Sequence, residues 1–291
     1  MVTAVRPAVR RRQILESDLE AVAILLSHGF RLRPKQWWLR GLTRQAARPV
    51  PEGYPRFGYM LECEDRPVGV LLMIFSEIAR DGVRSVRCNL SSWHVEPGFA
   101  AQAPLLLNYA LRDKSVTYIN VSPAPHVQPI IEAQGFRAFS RGLLLSVPAL
   151  QPVTEPVRLH RVRDGAPAGL GDAAERDLLE AHAAFGCTSL VVEARDGLHP
   201  FVFAPRRVLK RLVPTTHLVY SRDLADFVRF SGALGRYLLR RAKPTVLLDV
   251  NGPVPGLVGR RISQHQNKYY RGPNPPRLGE LAYTEGVIYG P

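Results

Sequence analysis

The feature that most constrains this chain is that its pattern of helices and strands runs once, is interrupted by prolines, and begins again. In the first pass "ESDLEAVAILLSHGF" reads as an amphipathic helix, with Ser17 or Asp18 able to cap it and Gly29 at its stop. Leu19, Val22, Ile24, Leu25 and Leu26 supply its apolar side. "RPKQWWLRGLTRQ" is a second helix opened by Pro34, with Trp37 and Trp38 giving it a bulky face. "FGYMLECEDRPVGVLLMIFSEI" reads as two strands joined through a hairpin at "EDRP", and "SVRCNLSSWHV" follows the turn residues Asp81 and Gly82 as a third strand. A helix over 104–112, a strand "SVTYINVS", a short helix "HVQPIIEAQGF" closed by Gly135, and strands within "RAFSRGLLLSVPAL" complete the pass.

The proline-rich stretch "PALQPVTEPV" has little periodicity and reads as a linker. Beyond it "AERDLLEAHAAFG" resembles the first helix, "THLVYSRD" a central strand, "FVRFSGALGRYLLRR" a turn and helix, and "PTVLLDV" a further strand. For 291 residues, two domains of ordinary size are expected. The expected division is 1–148, a linker over 149–157, and 158–291, in an α/β fold with mixed twisted sheets flanked by helices.

The chain carries 39 Lys and Arg against 25 Asp and Glu, a formal net charge of +14. That balance favours anionic partners, either nucleic acid, a membrane surface or a phosphate-bearing small molecule. No basic block is interleaved with aromatic residues as in nucleic-acid readers, so a phosphate-bearing small molecule is expected. The N-terminal arginines are not followed by an apolar signal core, and no run approaches the ~20 apolar residues of a membrane span. Cys63, Cys88 and Cys187 are far apart, with no CxxC pair and no histidine at ligand spacing. A reduced, cytoplasmic, metal-free protein is the expectation.

A strand, a turn rich in small residues, a helix, a strand and a short helix ending in "GF" make up residues 88–142, and this layout resembles the core of the GCN5-related N-acetyltransferase superfamily. The resemblance implies two tandem acetyltransferase-like domains and acyl-CoA, expected to be acetyl-CoA, as co-substrate. In that family an Arg/Gln-x-x-Gly-x-Gly/Ala turn holds the cofactor pyrophosphate at a helix N-terminus, where free N–H groups and the helix dipole attract anions. Here "VEPGFAAQAPLLL" places Val95 at the strand exit, Ala100 at the Arg/Gln position, Ala103 at the first glycine and Leu105 at the second, with Ala101 and Gln102 between them. Pro104 removes one N–H donor from the same turn. Asn120 ends the next strand, as in the family, while Ile131 stands where a tyrosine would protonate the leaving thiolate.

His94 and Glu96 flank Val95, and either could accept a proton from an amine or hydroxyl. Competing readings make Glu96 a solvated strand-end charge and His94 a hydrogen-bonded interior histidine. Ser91 and Ser92 have no visible Ser-His-Asp context. In the second half Arg229 and Gly232 keep the Arg-x-x-Gly spacing, with Gly235 and Arg236 following. They form an alternative cofactor site, unless the two glycines serve helix packing. Lys268, Arg271 and Arg277 could belong to a loop closing over an anion or to a packed terminal arm. The function expected is acyl transfer to an amine or hydroxyl of a small molecule. The alternative is a non-catalytic ligand-binding or assembly protein on the same fold.

Overall fold

The computed structural model describes residues 8–80, 82–163, 165–208, 213–262 and 267–290. The start of the N-terminal arginine stretch, the turn residue Asp81, and His265 and Gln266 of the C-terminal stretch lie outside the described residues. The chain divides into two compact units. One holds the residues up to Asn120 together with Gly272–Asn274, and the other holds Val121–Arg271 with the segment from Pro275 onward.

The first unit begins with strand β1 (Val9–Gln13) and helices α1 (Leu19–Gly29) and α2 (Lys35–Ala46). α1 buries Val22, Ala23, Leu25 and Leu26, and α2 buries Trp38 and Leu42. Strands β2 (Gly58–Cys63) and β3 (Arg66–Arg80) form the hairpin expected at "EDRP". Glu64 and Asp65 both take positive φ, 50° and 58°, as a two-residue hairpin turn matched to strand twist requires. β4 (Val83–Val95) pairs antiparallel with β3, and helix α3 (Ala103–Ala110) leads on to β5 (Thr117–Asn120). The hydrogen-bonded order is β1-β2-β3-β4-β5, and only the β4–β5 pairing is parallel.

The second unit opens with α4 (Gln128–Ala133), closed by Gly135 at φ 84°, and strands β6 (Arg137–Ser140) and β7 (Leu143–Ser146). The order of the first unit then recurs: β8 (Arg158–Arg161), α5 (Ala173–Ala184), β9 (Thr188–Ala194), β10 (Gly197–Val208), β11 (Val213–Ser221), α6 (Leu224–Leu239) and β12 (Thr245–Asp249). One helix stands where the first unit has two. β13 (Gly259–Ile262), β14 (Lys268–Arg271) and the short α7 (Glu285–Ile288) follow. The sheet order is β13-β7-β12-β11-β10-β9-β8, again mixed, and β14 pairs antiparallel with β6.

Both faces of this sheet are covered, so β10 is apolar at successive positions rather than alternating. Phe201 and Phe203 pack under Phe227, Phe230 and Leu234 of α6, while Val202 and Ala204 pack with Leu179 of α5. The stretch expected to link the halves lies within this unit, and its Pro148–Leu150 turn packs on α6. Among the described residues no helix is long and apolar enough to cross a membrane, and no cluster of three His, Cys, Asp or Glu groups could hold a metal ion. The three cysteines are unbridged and buried.

Candidate functional site

In the first unit, β4 and β5 pair in parallel at Arg87–Thr117, Cys88–Tyr118 and Asn89–Ile119, after which β4 runs on to Val95. The two strands therefore form a fork with Asn89 at its apex. Asn89 is buried, and its side-chain amide donates to Leu90 O at 3.1 Å and to Ile119 O at 3.3 Å. It thus satisfies a backbone acceptor on each strand where the ladder ends. Directly beyond the apex β4 carries an extra residue, because Met73 faces Leu90 while Leu71 faces Trp93. Such a bulge bends the strand and re-aims its groups, a device common beside active sites. Ser91, Ser92, Trp93, His94 and Val95, on the far side of the bulge, are all half-exposed. A fork of this kind can admit an extended, flexible ligand.

His94 faces Val70 across the ladder, and its ring lies against the end of α1. A Cβ on Gly29 would stand 2.5 Å from His94 Cγ and Nδ1, so only glycine lets the helix end seat on the imidazole. Phe30 meets the same ring edge-on at 6.3 Å between centroids. Burial pushes the His94 pKa below its ordinary value, with His28 acting in the same direction and Glu96 against it. The imidazole is accordingly neutral at neutral pH and able to take a proton.

Glu96 is differently occupied. Both of its carboxylate oxygens accept from Arg66 Nη1, at 2.8 and 2.9 Å, and its N–H donates to Val68 O. Both Glu96 oxygens being engaged by Arg66, the geometry favours His94 of the two expected bases.

The turn after Val95 enters its helix gradually. Ala100, Ala101 and Gln102 lie in a 3-10 helix over Pro97–Gln102, Ala103 is the first residue of α3, and Leu105 is exposed in its first turn. Ala103 N–H already donates to Ala100 O and Phe99 N–H to Glu96 O, while Pro97 and Pro104 have none to give. The small residues place the helix as expected, but few backbone donors remain for a phosphate. Asn120, the last residue of β5, is half-buried at the mouth of the fork. A cation absent from the sequence reading lies nearby: Arg11 Nη1 reaches Leu105 O at 3.5 Å.

The second-half alternative takes a different form. Arg229, Gly232, Gly235 and Arg236 all lie beyond the first turn of α6, which starts at Leu224. A Cβ on Gly232 would meet Pro152 O at 2.3 Å, and one on Gly235 would meet Ala149 N at 2.2 Å. The glycines therefore let the 148–152 backbone lie on the helix. Arg229 is bound by Glu155 at 2.5 Å and Asp196 at 2.6 Å, and Arg236 belongs to the last turn. The true helix start is capped by Asp223, whose side chain accepts from Ala225 N at 3.0 Å and sets an acid where a phosphate would sit. The Arg-x-x-Gly spacing here is a packing motif. Lys268, for which a donor in an anion-closing loop and a charge on a packed terminal arm were the alternatives, is buried and paired with Asp249.

No protein-family model matches the sequence, and no curated protein matches it. Solved structures do match. A GCN5-related N-acetyltransferase from Anabaena variabilis aligns over 91% of this chain and 72% of its own, with 11% identity and a TM-score of 0.57. One from Kribbella flavida aligns over 92% and 71%, with 17% identity and a TM-score of 0.54. A conserved protein of unknown function from Enterococcus faecalis aligns over 94% and 73%, with 11% identity and a TM-score of 0.56. Joined to the repeated order of strands and the parallel fork in each unit, these likenesses give the chain the α/β fold of the GCN5-related N-acetyltransferases, with its central strand, helix, strand core present twice.

Proposed function

We propose that the first unit transfers an acyl group from an acyl-CoA, acetyl-CoA being the expected donor, to an amine or hydroxyl of a small molecule. The observation that carries this reading is the β4–β5 fork with a neutral, half-buried His94 on its bulged strand. Trp93 Nε1, buried and without a hydrogen-bond partner among the described residues, offers a donor to a ligand in that region. Arg11 brings positive charge to the first turn of α3, where backbone donors are scarce. Phosphate binding then rests more on that side chain than on the turn.

When bound, acyl-CoA supplies a thioester carbon open to attack and a thiolate able to leave. His94 takes the proton from the acceptor nitrogen or oxygen as that atom bonds to the carbonyl carbon. Gly29 and Phe30 hold the imidazole in place, and a backbone N–H of β4 near Val95 would polarise the carbonyl. Ile131 has no proton to give, so the departing sulfur takes one from solvent or from the His94 imidazolium. The non-catalytic alternative draws its support from the same apolar Ile131 and from the donors missing at Pro97 and Pro104.

Release of CoA thiol from acetyl-CoA, measured against a panel of small amines and alcohols, tests the reading. Acceptor-dependent release is expected, with His94→Gln lowering kcat about 10²–10⁴-fold and leaving acetyl-CoA affinity unchanged. The acid limb of kcat/KM is expected below the ordinary histidine value of about 6.5. Acetyl-CoA binding without any acceptor-dependent release would favour the non-catalytic alternative.

A further inference from the structure

The second unit repeats the fork and fills it. β11 and β12 pair in parallel at Thr215–Thr245, Thr216–Val246 and His217–Leu247, and β11 then carries a bulge between Leu218 and Tyr220, as β4 does. Along this stretch of β11 lies the chain's own C-terminal segment. Gly279, at φ 85°, comes so close that a Cβ would stand 3.0 Å from Ser221 Oγ and 4.0 Å from Leu218 Cδ2. Two residues on, Leu281 N–H donates to Val219 O at 2.8 Å. The segment therefore runs antiparallel to β11 and takes up the carbonyl of the bulged residue.

Its side chains are anchored as firmly as its backbone. Leu281, Ala282 and Val287 pack with Val219, Val202, Val191 and Leu179 in one core cluster. Tyr283 N–H donates to His182 Nε2 at 3.1 Å, while His182 Nδ1 bonds Leu178 O at 2.7 Å, so both nitrogens of this fully buried neutral imidazole are used. Thr284 Oγ1 donates to Leu281 O at 2.8 Å and holds the turn into α7. Gly286 lies against the Arg206 guanidinium, where a Cβ would be 2.3 Å from Nη2.

We propose that residues 277–289 of this chain, a run of turns that ends in α7, are the resident occupant of the second fork and close the second unit to acyl-CoA. One backbone bond to the bulged strand and the apolar anchors Leu281, Ala282 and Val287 hold the segment there. The acidic cap Asp223 at the start of α6 disfavours a phosphate-bearing competitor. The statement about acyl-CoA rests on the function proposed above, whereas occupancy of the fork does not.

Hydrogen exchange on the full unliganded chain, combined with calorimetric titration of acetyl-CoA, tests both parts. The amides of Leu281 and Tyr283 are expected to exchange about 10³-fold or more slowly than in an unstructured chain, as core amides do, with no change on adding acetyl-CoA. Titration is expected to give one acetyl-CoA per chain. Exchange of Leu281 and Tyr283 at the unstructured rate would overturn the resident segment. Two acetyl-CoA per chain, or loss of protection at Leu281 on adding the ligand, would overturn the closure. If no acetyl-CoA binds at all, the proposed function fails, and slow exchange at Leu281 still upholds the occupied fork.

Discussion

The two forks share a frame and differ in what stands at the apex and in the opening. Asn89 and His217 occupy equivalent places, each the last β-residue in parallel register and each followed by a bulge. Asn89 is a neutral amide whose nitrogen donates to two backbone carbonyls, so it brings no charge to the first apex. His217 instead lies 3.4 Å from Asp249 Oδ2, and Asp249 also binds buried Lys268 and accepts from Ser140 Oγ at 3.1 Å. Charges removed from water must be paired and enclosed. The same backbone thus carries a neutral amide at one apex and a buried charged cluster at the other, and the residues placed on it decide which.

The comparison breaks most sharply at Lys268. Burial lowers the pKa of its ammonium while Asp249 opposes that shift; burial likewise raises the Asp249 carboxyl, but Lys268 and His217 outweigh it and hold the acid ionised. Lys268→Met would leave a buried carboxylate without its cation, at an expected cost of about 3–5 kcal/mol in denaturant unfolding. Adding Asp249→Leu should recover most of that loss. In the first fork, Asn89 variants create no uncompensated charge, so a comparable loss for Asn89→Ala would show that the two apices are energetically alike.

Smaller but sharper in sign is Gly235→Ala. In a helix interior this exchange ordinarily stabilises by about 1 kcal/mol. Here the new methyl would meet the Ala149 N and Pro148 C backbone atoms at 2.2 and 2.4 Å, so a net destabilisation of about 1–3 kcal/mol is expected, with kcat unchanged. Gly29→Ala should do the reverse, lowering kcat through the displaced His94 ring more than it lowers stability.

These glycines also mark where sequence reading stops. Periodicity located the helices α1–α6, the hairpin at Glu64 and Asp65, and the strand ending at Asn120, because local spacing and turn chemistry fix them, but it did not mark β1, β8, β9, β10, β13 or β14. Arg229 and Gly232 matched a phosphate motif in spacing, but spacing does not say where a helix begins; the cap at Asp223 carried that signal. Asn89 was visible only as one amide in an apolar strand, and its role depends on pairing with β5, thirty residues on. Lys268 and Asp249, and equally Arg66 and Glu96, are partners that only the folded chain brings together.

The apices should also titrate differently. Burial, then Lys268, push the His217 pKa down to about 4, against the opposing pull of Asp249. The folded value is depressed for a base, so between about 6.5 and about 4 the unfolded chain binds a proton that the native chain refuses. Stability is expected to fall as pH drops through that window, by up to about 1.4 kcal/mol per pH unit for the one group. Urea midpoints for wild type and His217→Gln across the window would isolate this slope. An unchanged slope in the variant would remove His217 from the acid response.

The smallest effect is expected at Glu96, and it separates the two candidate bases of the first fork. The Arg66 side chain is 56% exposed and that of Glu96 is 29% exposed, so their ion pair is largely screened by water and contributes at most about 1 kcal/mol. Glu96→Gln keeps the shape and can still accept from Arg66, so stability should change by less than about 1 kcal/mol. Its charge does act on His94, raising the imidazole pKa against burial. Removing that charge should therefore move the acid limb of kcat/KM to lower pH, with kcat on the plateau unchanged within a few-fold. A fall in plateau kcat as large as that for His94→Gln would instead make Glu96 the proton acceptor and give the Arg66 pair the task of holding it.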